Sequence, residues 1–179
     1  MKQSKTAEYA YLAGMMDADG CFQIKRFTQS GRVQYDCAVL TNQVDGGAID
    51  FLYGVFGGAV YRLSGYNQNP RANPVVYRWQ VTRQVAADVA KRAAPFLRIK
   101  KKQAELLIRF RDIQKHQMRK PRGRGHPLEP YEIALREECY QEMKRLKKFI
   151  VPSAAVTTKC GDSSETMGSD SLALEEKEL

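Results

Sequence analysis

Hydrophobic and polar positions along this chain follow two distinguishable rhythms. Residues 6–16, TAEYAYLAGMM, carry apolar side chains at helical spacing. Thr6 is placed to cap the N-terminus and Glu8 falls in the first turn, so a short helix is predicted that stops at Asp17-Ala18-Asp19-Gly20. The rhythm then shortens to period two. Residues 21–27 (CFQIKRF) and 33–41 (VQYDCAVLT) read as strands joined through 28–32, a β-hairpin. Helical spacing returns over 48–56 and ends at Gly57-Gly58. A second hairpin is predicted from 60–63, through a loop rich in Gly, Asn and Pro, to 75–81. Further helices are predicted at 84–93, closed by Pro95, and at 100–116. A basic loop at 119–127 precedes a last helix from about 129 to 149, with Ile133, Arg136, Tyr140, Met143 and Leu146 at helical intervals. The order α, ββ, α, ββ, α, α, α implies an α+β fold in which two αββ units form one antiparallel four-stranded sheet with helices on one face.

A chain of 179 residues with 43% hydrophobic content suits one ordinary cored domain. No apolar run approaches the ~18–20 residues of a membrane span, and the N-terminal MKQSKTAEYAYLAG lacks the order of a secretory signal. An intracellular protein without a membrane partner is expected. Cys21, Cys37, Cys139 and Cys160 lie far apart with no CxxC spacing, which reads as free thiols rather than a zinc site. Charge is unevenly distributed along the chain. The formal net charge is +9, but residues 152–179 hold two basic and six acidic side chains, a net of −4 that leaves +13 on residues 1–151. The expectation is a basic domain over 1–151 with a polyanionic partner, followed by an acidic Ser/Thr-rich tail over 152–179, disordered or partly ordered.

The segment 12–20, Leu12-Ala13-Gly14-Met15-Met16-Asp17-Ala18-Asp19-Gly20, carries the candidate chemistry. Two carboxylates at a helix C-terminus oppose the macrodipole at a cost of about 0.3–1 kcal/mol each, so a compensating group is expected. Asp17 and Asp19 lie about 200° apart around a helix and cannot serve one small site. Gly14 and Ala18, at i and i+4, form a small-residue stripe on which another helix backbone can approach closely. Either that stripe packs on the chain's own sheet and the aspartates are exposed caps, or it meets a like helix and brings carboxylates together. In the second case hard oxygen donors select Mg2+ or a similar ion.

LAGMMDADG resembles the signature of the LAGLIDADG homing endonucleases, with Met15-Met16 in place of Leu-Ile, and residues 95–104 (PFLRIKKKQA) resemble the segment these enzymes carry after the second hairpin. The resemblance spans about residues 7–151. It implies the αββαββα fold with a saddle-shaped sheet in the DNA major groove. It also implies a site-specific, Mg2+-dependent double-strand endonuclease acting on a long pseudo-palindromic target, with Mn2+ substituting and Ca2+ binding without supporting cleavage. Only one copy of the motif is present, so the family comparison implies a homodimer with Leu12, Gly14 and Ala18 at the interface. By resemblance Asp19 is the metal ligand, assisted by the Ala18 carbonyl from the partner chain, while Asp17 supports helix termini. Lys100 matches the family lysine near the scissile phosphate, and Asn42 or Gln43 is the residue that orients water. The segment 45–50 lacks the arginine that the family pattern carries there.

Period-two alternation assigns Phe22 and Ile24 to the helix side and Gln23 and Lys25 to the outer face. In the second hairpin Arg62, Arg78 and Gln80 are the outward candidates for reading bases, with Trp79 and Tyr77 in the core. Lys101 and Lys148 are candidates for phosphate contacts. A family member of this kind resides with its intron-bearing genome, organellar, prokaryotic or phage, is not secreted and has no small-molecule substrate. The rival within the fold is an RNA maturase or a DNA-binding protein without cleavage activity.

Overall fold

The computed structural model describes residues 5–63, 75–118 and 128–148, all within one compact unit, Met1–Phe149. Helix α1 (Lys5–Ala18) leads into β1 (Gly20–Gln29) and β2 (Arg32–Gln43), then α2 (Gly46–Phe56), β3 (Ala59–Leu63) and β4 (Val76–Thr82). Helix α3 (Arg83–Ala93), a 3-10 turn at Ala94–Phe96, α4 (Lys101–Met118) and α5 (Pro130–Lys147) complete the order. The strands form one antiparallel sheet in the order β1-β2-β4-β3. The α+β class and the element order expected from the hydrophobic pattern are found. The 64–74 and 119–127 loops, the 152–179 tail and Cys160 lie outside the described residues. Among the described residues no helix is long and apolar enough to cross a membrane.

Element ends differ from the pattern in ways that matter for the site. Thr6 lies inside α1 rather than capping it, because Lys5 is already helical. The same helix continues through Ala18, and the Asp19 N–H donates to the Met15 carbonyl at 3.0 Å, so Asp17 sits in its last turn and Asp19 immediately follows its end. A Cβ on Gly20 would collide with the side chain and backbone of Met16, which ties this exit from the helix to glycine. The first hairpin turns on Ser30-Gly31 alone, with φ of 50° and 73°, and pairing runs down to Gln29 and Arg32. Two left-handed residues match the twist of paired strands, so no longer loop is needed. Strand β2 runs beyond Thr41 to Gln43, placing Asn42 and Gln43 within the sheet.

The core lies between the sheet and the helices. Phe22 and Ile24 of β1, Cys37 and Val39 of β2, and Trp79 and Val81 of β4 all point to the helix side and are buried against Leu12, Met16, Leu52 and Phe110. The Trp79 indole N–H donates to the Gly57 carbonyl at 2.7 Å, which satisfies the polar end of a fully buried ring. Truncating such a ring costs about 3–5 kcal/mol. Helix α5 is fixed at the β1–β2 edge by Glu137, which accepts a hydrogen bond from the Tyr35 hydroxyl and pairs with Arg26 at 3.3 Å. Its N-terminus is set by the Glu129 N–H donating to the Glu132 carboxylate at 2.9 Å.

Candidate active site and nucleic-acid interface

Two helix ends meet and compensate each other. The Lys100 ammonium donates to the carbonyls of Met16, Ala18 and Gly20 at 2.8, 3.0 and 2.9 Å, so all three of its N–H donors lie on the C-terminal end of α1. This is the positive group the macrodipole argument requires. In return the Asp17 carboxylate accepts the backbone N–H groups of Arg98, Ile99 and Lys100 at 2.7, 3.2 and 2.9 Å, just ahead of α4. Burial raises the Asp17 pKa, but the hydrogen bonds from Arg98, Lys100 and Ile99 and the Lys100 charge outweigh it, and the net shift is downward. Asp17 is thus turned away into the fold and Asp19 is left exposed at the helix end.

The two candidates for orienting water separate. The Gln43 Nε2 reaches the Asp19 Oδ2 at 3.4 Å, whereas Asn42, one residue earlier and on the opposite face, accepts the Arg78 Nε at 2.9 Å. Asn42 therefore belongs with the outer face of the sheet and not with Asp19.

That outer face can be read from the strand register. Gln23 stands opposite Ala38, Lys25 opposite Asp36, Gln80 opposite Leu40 and Arg78 opposite Asn42, so these four candidates share one face. Arg62 does not. It pairs with Tyr77, whose parity is that of buried Trp79, and Tyr61 takes the place beside Arg78. The expectation for Arg62 fails because β3 carries apolar or aromatic residues on both parities, Val60 on one and Ala59, Tyr61 and Leu63 on the other, so only its pairing decides which way each points. Lys101, in the first turn of α4, and Lys148, capping α5, are both exposed. The strand pattern also does not single out the pair formed by Arg83 and Asp36 at 3.3 Å. Alternation along β2 places Asp36 outward, but only the tertiary fold brings Arg83, with φ of 54°, onto it.

No protein-family model matches the sequence, and no curated protein matches it. Solved structures do. The chain is similar to the homing endonuclease I-CvuI in complex with its target in the presence of 2 mM Ca, with a TM-score of 0.65 and 15% identity over 80% of this chain and 84% of that one. It is similar to the archaeal intron-encoded homing endonuclease I-Vdi141I complexed with DNA, with a TM-score of 0.63 and 15% identity over 81% and 87% of the two chains. The LAGLIDADG homing endonuclease I-GzeII in complex with its DNA target matches with a TM-score of 0.52 and 12% identity over 77% of this chain but 43% of its own. The chain has the LAGLIDADG homing endonuclease fold. Its signature and this fold together support the family suggested by the motif.

In this LAGLIDADG fold the signature helix is apolar on two sides. Leu12, Ala13 and Met16 are buried in the chain's own core, while Ala7, Ala10, Tyr11, Gly14 and Ala18 are exposed. A Cβ on Gly14 would meet nothing within 4 Å. Gly14 and Ala18 therefore do not pack on the chain's own sheet. Leu12 is a correction to the expected interface, since it lies about 200° around the helix from Gly14 and is sealed inside. The metal-ligating atoms that Asp19 and Ala18 offer are oxygens, a carboxylate and a carbonyl, and the carbonyl keeps a second lone pair beyond the one that meets Lys100. Such a set fits Mg2+, which is commonly held by one or two carboxylates with phosphates and water completing the shell. Among the described residues no group of three or more acidic, His or Cys side chains could hold a metal within one chain.

The helix-end lock of the LAGLIDADG fold can be tested through acid titration. Asp17→Ala is expected to destabilise the chain by about 1–3 kcal/mol near neutral pH, having removed hydrogen bonds to a charged acceptor. Because the folded pKa is depressed, this contribution is present above the ordinary value of 3.8 and is lost as pH falls through the lowered one. Melting curves across pH should show the gap between variant and wild type narrowing in acid; a gap that holds constant rules out the ionised carboxylate as its source.

Proposed function

We propose that this chain is a LAGLIDADG homing endonuclease, intron-encoded, that acts as a homodimer. It hydrolyses both strands of a long pseudo-palindromic duplex DNA at a specific site, with Mg2+ as cofactor. The observation that carries this reading is the Asp19 carboxylate, exposed at the end of α1 with Gln43 at its edge, on a helix that also exposes the small residues Ala7, Ala10, Gly14 and Ala18. The I-GzeII match supports the dimer, since this chain corresponds to less than half of that protein. The similarity to endonucleases complexed with DNA supports the substrate.

Two copies meeting along Gly14 and Ala18 bring two α1 C-termini together, each carrying one Asp19. Asp19 of each copy, with an Ala18 carbonyl from the partner, would hold the cation. When bound, a divalent cation supplies positive charge at the scissile phosphate and makes a nearby water more acidic. Gln43 donates to Asp19 through its amide and keeps its carbonyl oxygen to accept a hydrogen bond from the attacking water. Lys100 keeps the end of α1 in place and adds a fixed charge beside the phosphate path, and Asp17 acts through Lys100 as a positioning residue. Gln23, Lys25, Arg78 and Gln80 on the outer face read base edges in the major groove, with Lys101 and Lys148 on phosphates.

Incubating the full chain with a randomised duplex library in Mg2+, then sequencing the cut molecules, tests this reading. The expected product is a two-fold symmetric motif. A library left uncut in Mg2+ sinks the endonuclease assignment. Binding should also weaken steeply with salt, by about 10³–10⁵ between 50 and 200 mM if six to ten phosphates are contacted, and a flat salt response by fluorescence anisotropy argues against DNA.

A further inference from the structure

Arg78 of β4 lies on the outer sheet face and Arg83, the first residue of α3, reaches that face through Asp36, and each has its Nε occupied by an acceptor from β2. Arg78 donates this N–H to the Asn42 Oδ1 at 2.9 Å, and Arg83 donates to the Asp36 Oδ2 at 3.3 Å. Engaging Nε leaves the terminal Nη1/Nη2 edge as the free bidentate face of the guanidinium. Arg83 is held at further points. Its backbone is left-handed at φ 54°, its carbonyl accepts the Cys37 thiol at 3.5 Å, and the other Asp36 oxygen accepts the Cys37 N–H at 2.8 Å. Even so, its side chain is 74% exposed. A non-glycine residue in this backbone region, with an exposed cationic tip and a fixed base, is arranged for contact rather than for packing.

We infer that Arg78 and Arg83 are a spaced pair of guanine readers, positioned by Asn42 and Asp36, that set two base preferences in each half of the target. The inference rests on the proposed DNA reading and names bases within it. A terminal guanidinium edge matches the O6 and N7 acceptors of guanine in the major groove. The two holders also give the spacing. Asn42 and Asp36 are separated along β2 by about 20 Å at ~3.3 Å per residue. At about 3.4 Å per base pair this spans roughly six base pairs. Arg78 lies at the Gln43 end of the sheet, next to Asp19, and so reads the inner guanine; Arg83 reads the outer one. Lys25, opposite Asp36 on β1, adds charge at the outer position without a comparable holder.

The test is selection of bound duplexes from a randomised library in Ca2+, comparing the wild-type chain with Arg78→Ala, Arg83→Ala and Asp36→Ala. Wild type should prefer guanine by about five- to hundredfold at two positions, five to seven base pairs apart in each half-site. Arg83→Ala and Asp36→Ala should each flatten the outer position and spare the inner, and Arg78→Ala the reverse. General loss of structure would instead weaken every position together. An enriched motif whose guanines survive these substitutions, or that lacks the spaced pair, overturns the inference and leaves the DNA reading intact. A library from which wild type enriches nothing overturns both.

Discussion

Asp19→Asn should lower cleavage at least about a thousandfold while leaving target affinity in Ca2+ within about threefold, because a lost metal ligand removes several kcal/mol of charge stabilisation from the reaction alone. The side chain is exposed and its only described hydrogen bond, from Gln43, can be accepted equally by the Asn oxygen. The fold has no reason to suffer. Lys100 already offsets the dipole at the C-terminal end of α1, so the neutral replacement should leave thermal stability within about 1 kcal/mol of wild type. Lost activity with retained stability is the signature of a residue kept for chemistry. Substantial residual cutting by the variant contradicts the metal role.

Gly14→Lys should dissociate the proposed homodimer and abolish cleavage with it. Space around Gly14 is open in the single chain, so a side chain there meets no clash, and replacing a mid-helix glycine gains up to about 1 kcal/mol of helix propensity. In a close helix–helix contact the same side chain would bury an unpaired charge, a penalty of about 3–5 kcal/mol that weakens association by a hundredfold or more. Sedimentation equilibrium reads this directly. A variant that folds well and remains dimeric places the interface elsewhere.

Much of the fold was legible because its two periodicities are clean. The alternation of Phe22 and Ile24 with Gln23 and Lys25 describes the two faces of β1 correctly. Leu12 could have been placed by the same arithmetic, since a residue two positions from Gly14 cannot share its helix face. Other features belong to tertiary structure. Lys100 and Asp17 are 83 residues apart, and nothing local in either segment reveals that the ends of α1 and α4 neutralise each other. Arg62 sits on a five-residue edge strand where Val60, Tyr61 and Leu63 blur the alternation, so the pairing with Tyr77 decides its side. The Asp36–Arg83 contact depends on one left-handed residue at the start of α3, which hydrophobic patterning does not register.

Two copies of this chain, each supplying one Asp19, are expected to cut duplex DNA with a divalent cation, and a supercoiled plasmid carrying the selected motif reads that cleavage. Purified wild-type chain in Mg2+ should give linear plasmid, with the two strand breaks placed symmetrically about the two-fold axis of the motif, and none in EDTA. Plasmid that is bound at the motif yet stays intact in Mg2+, or that is cut equally well in EDTA, would contradict it.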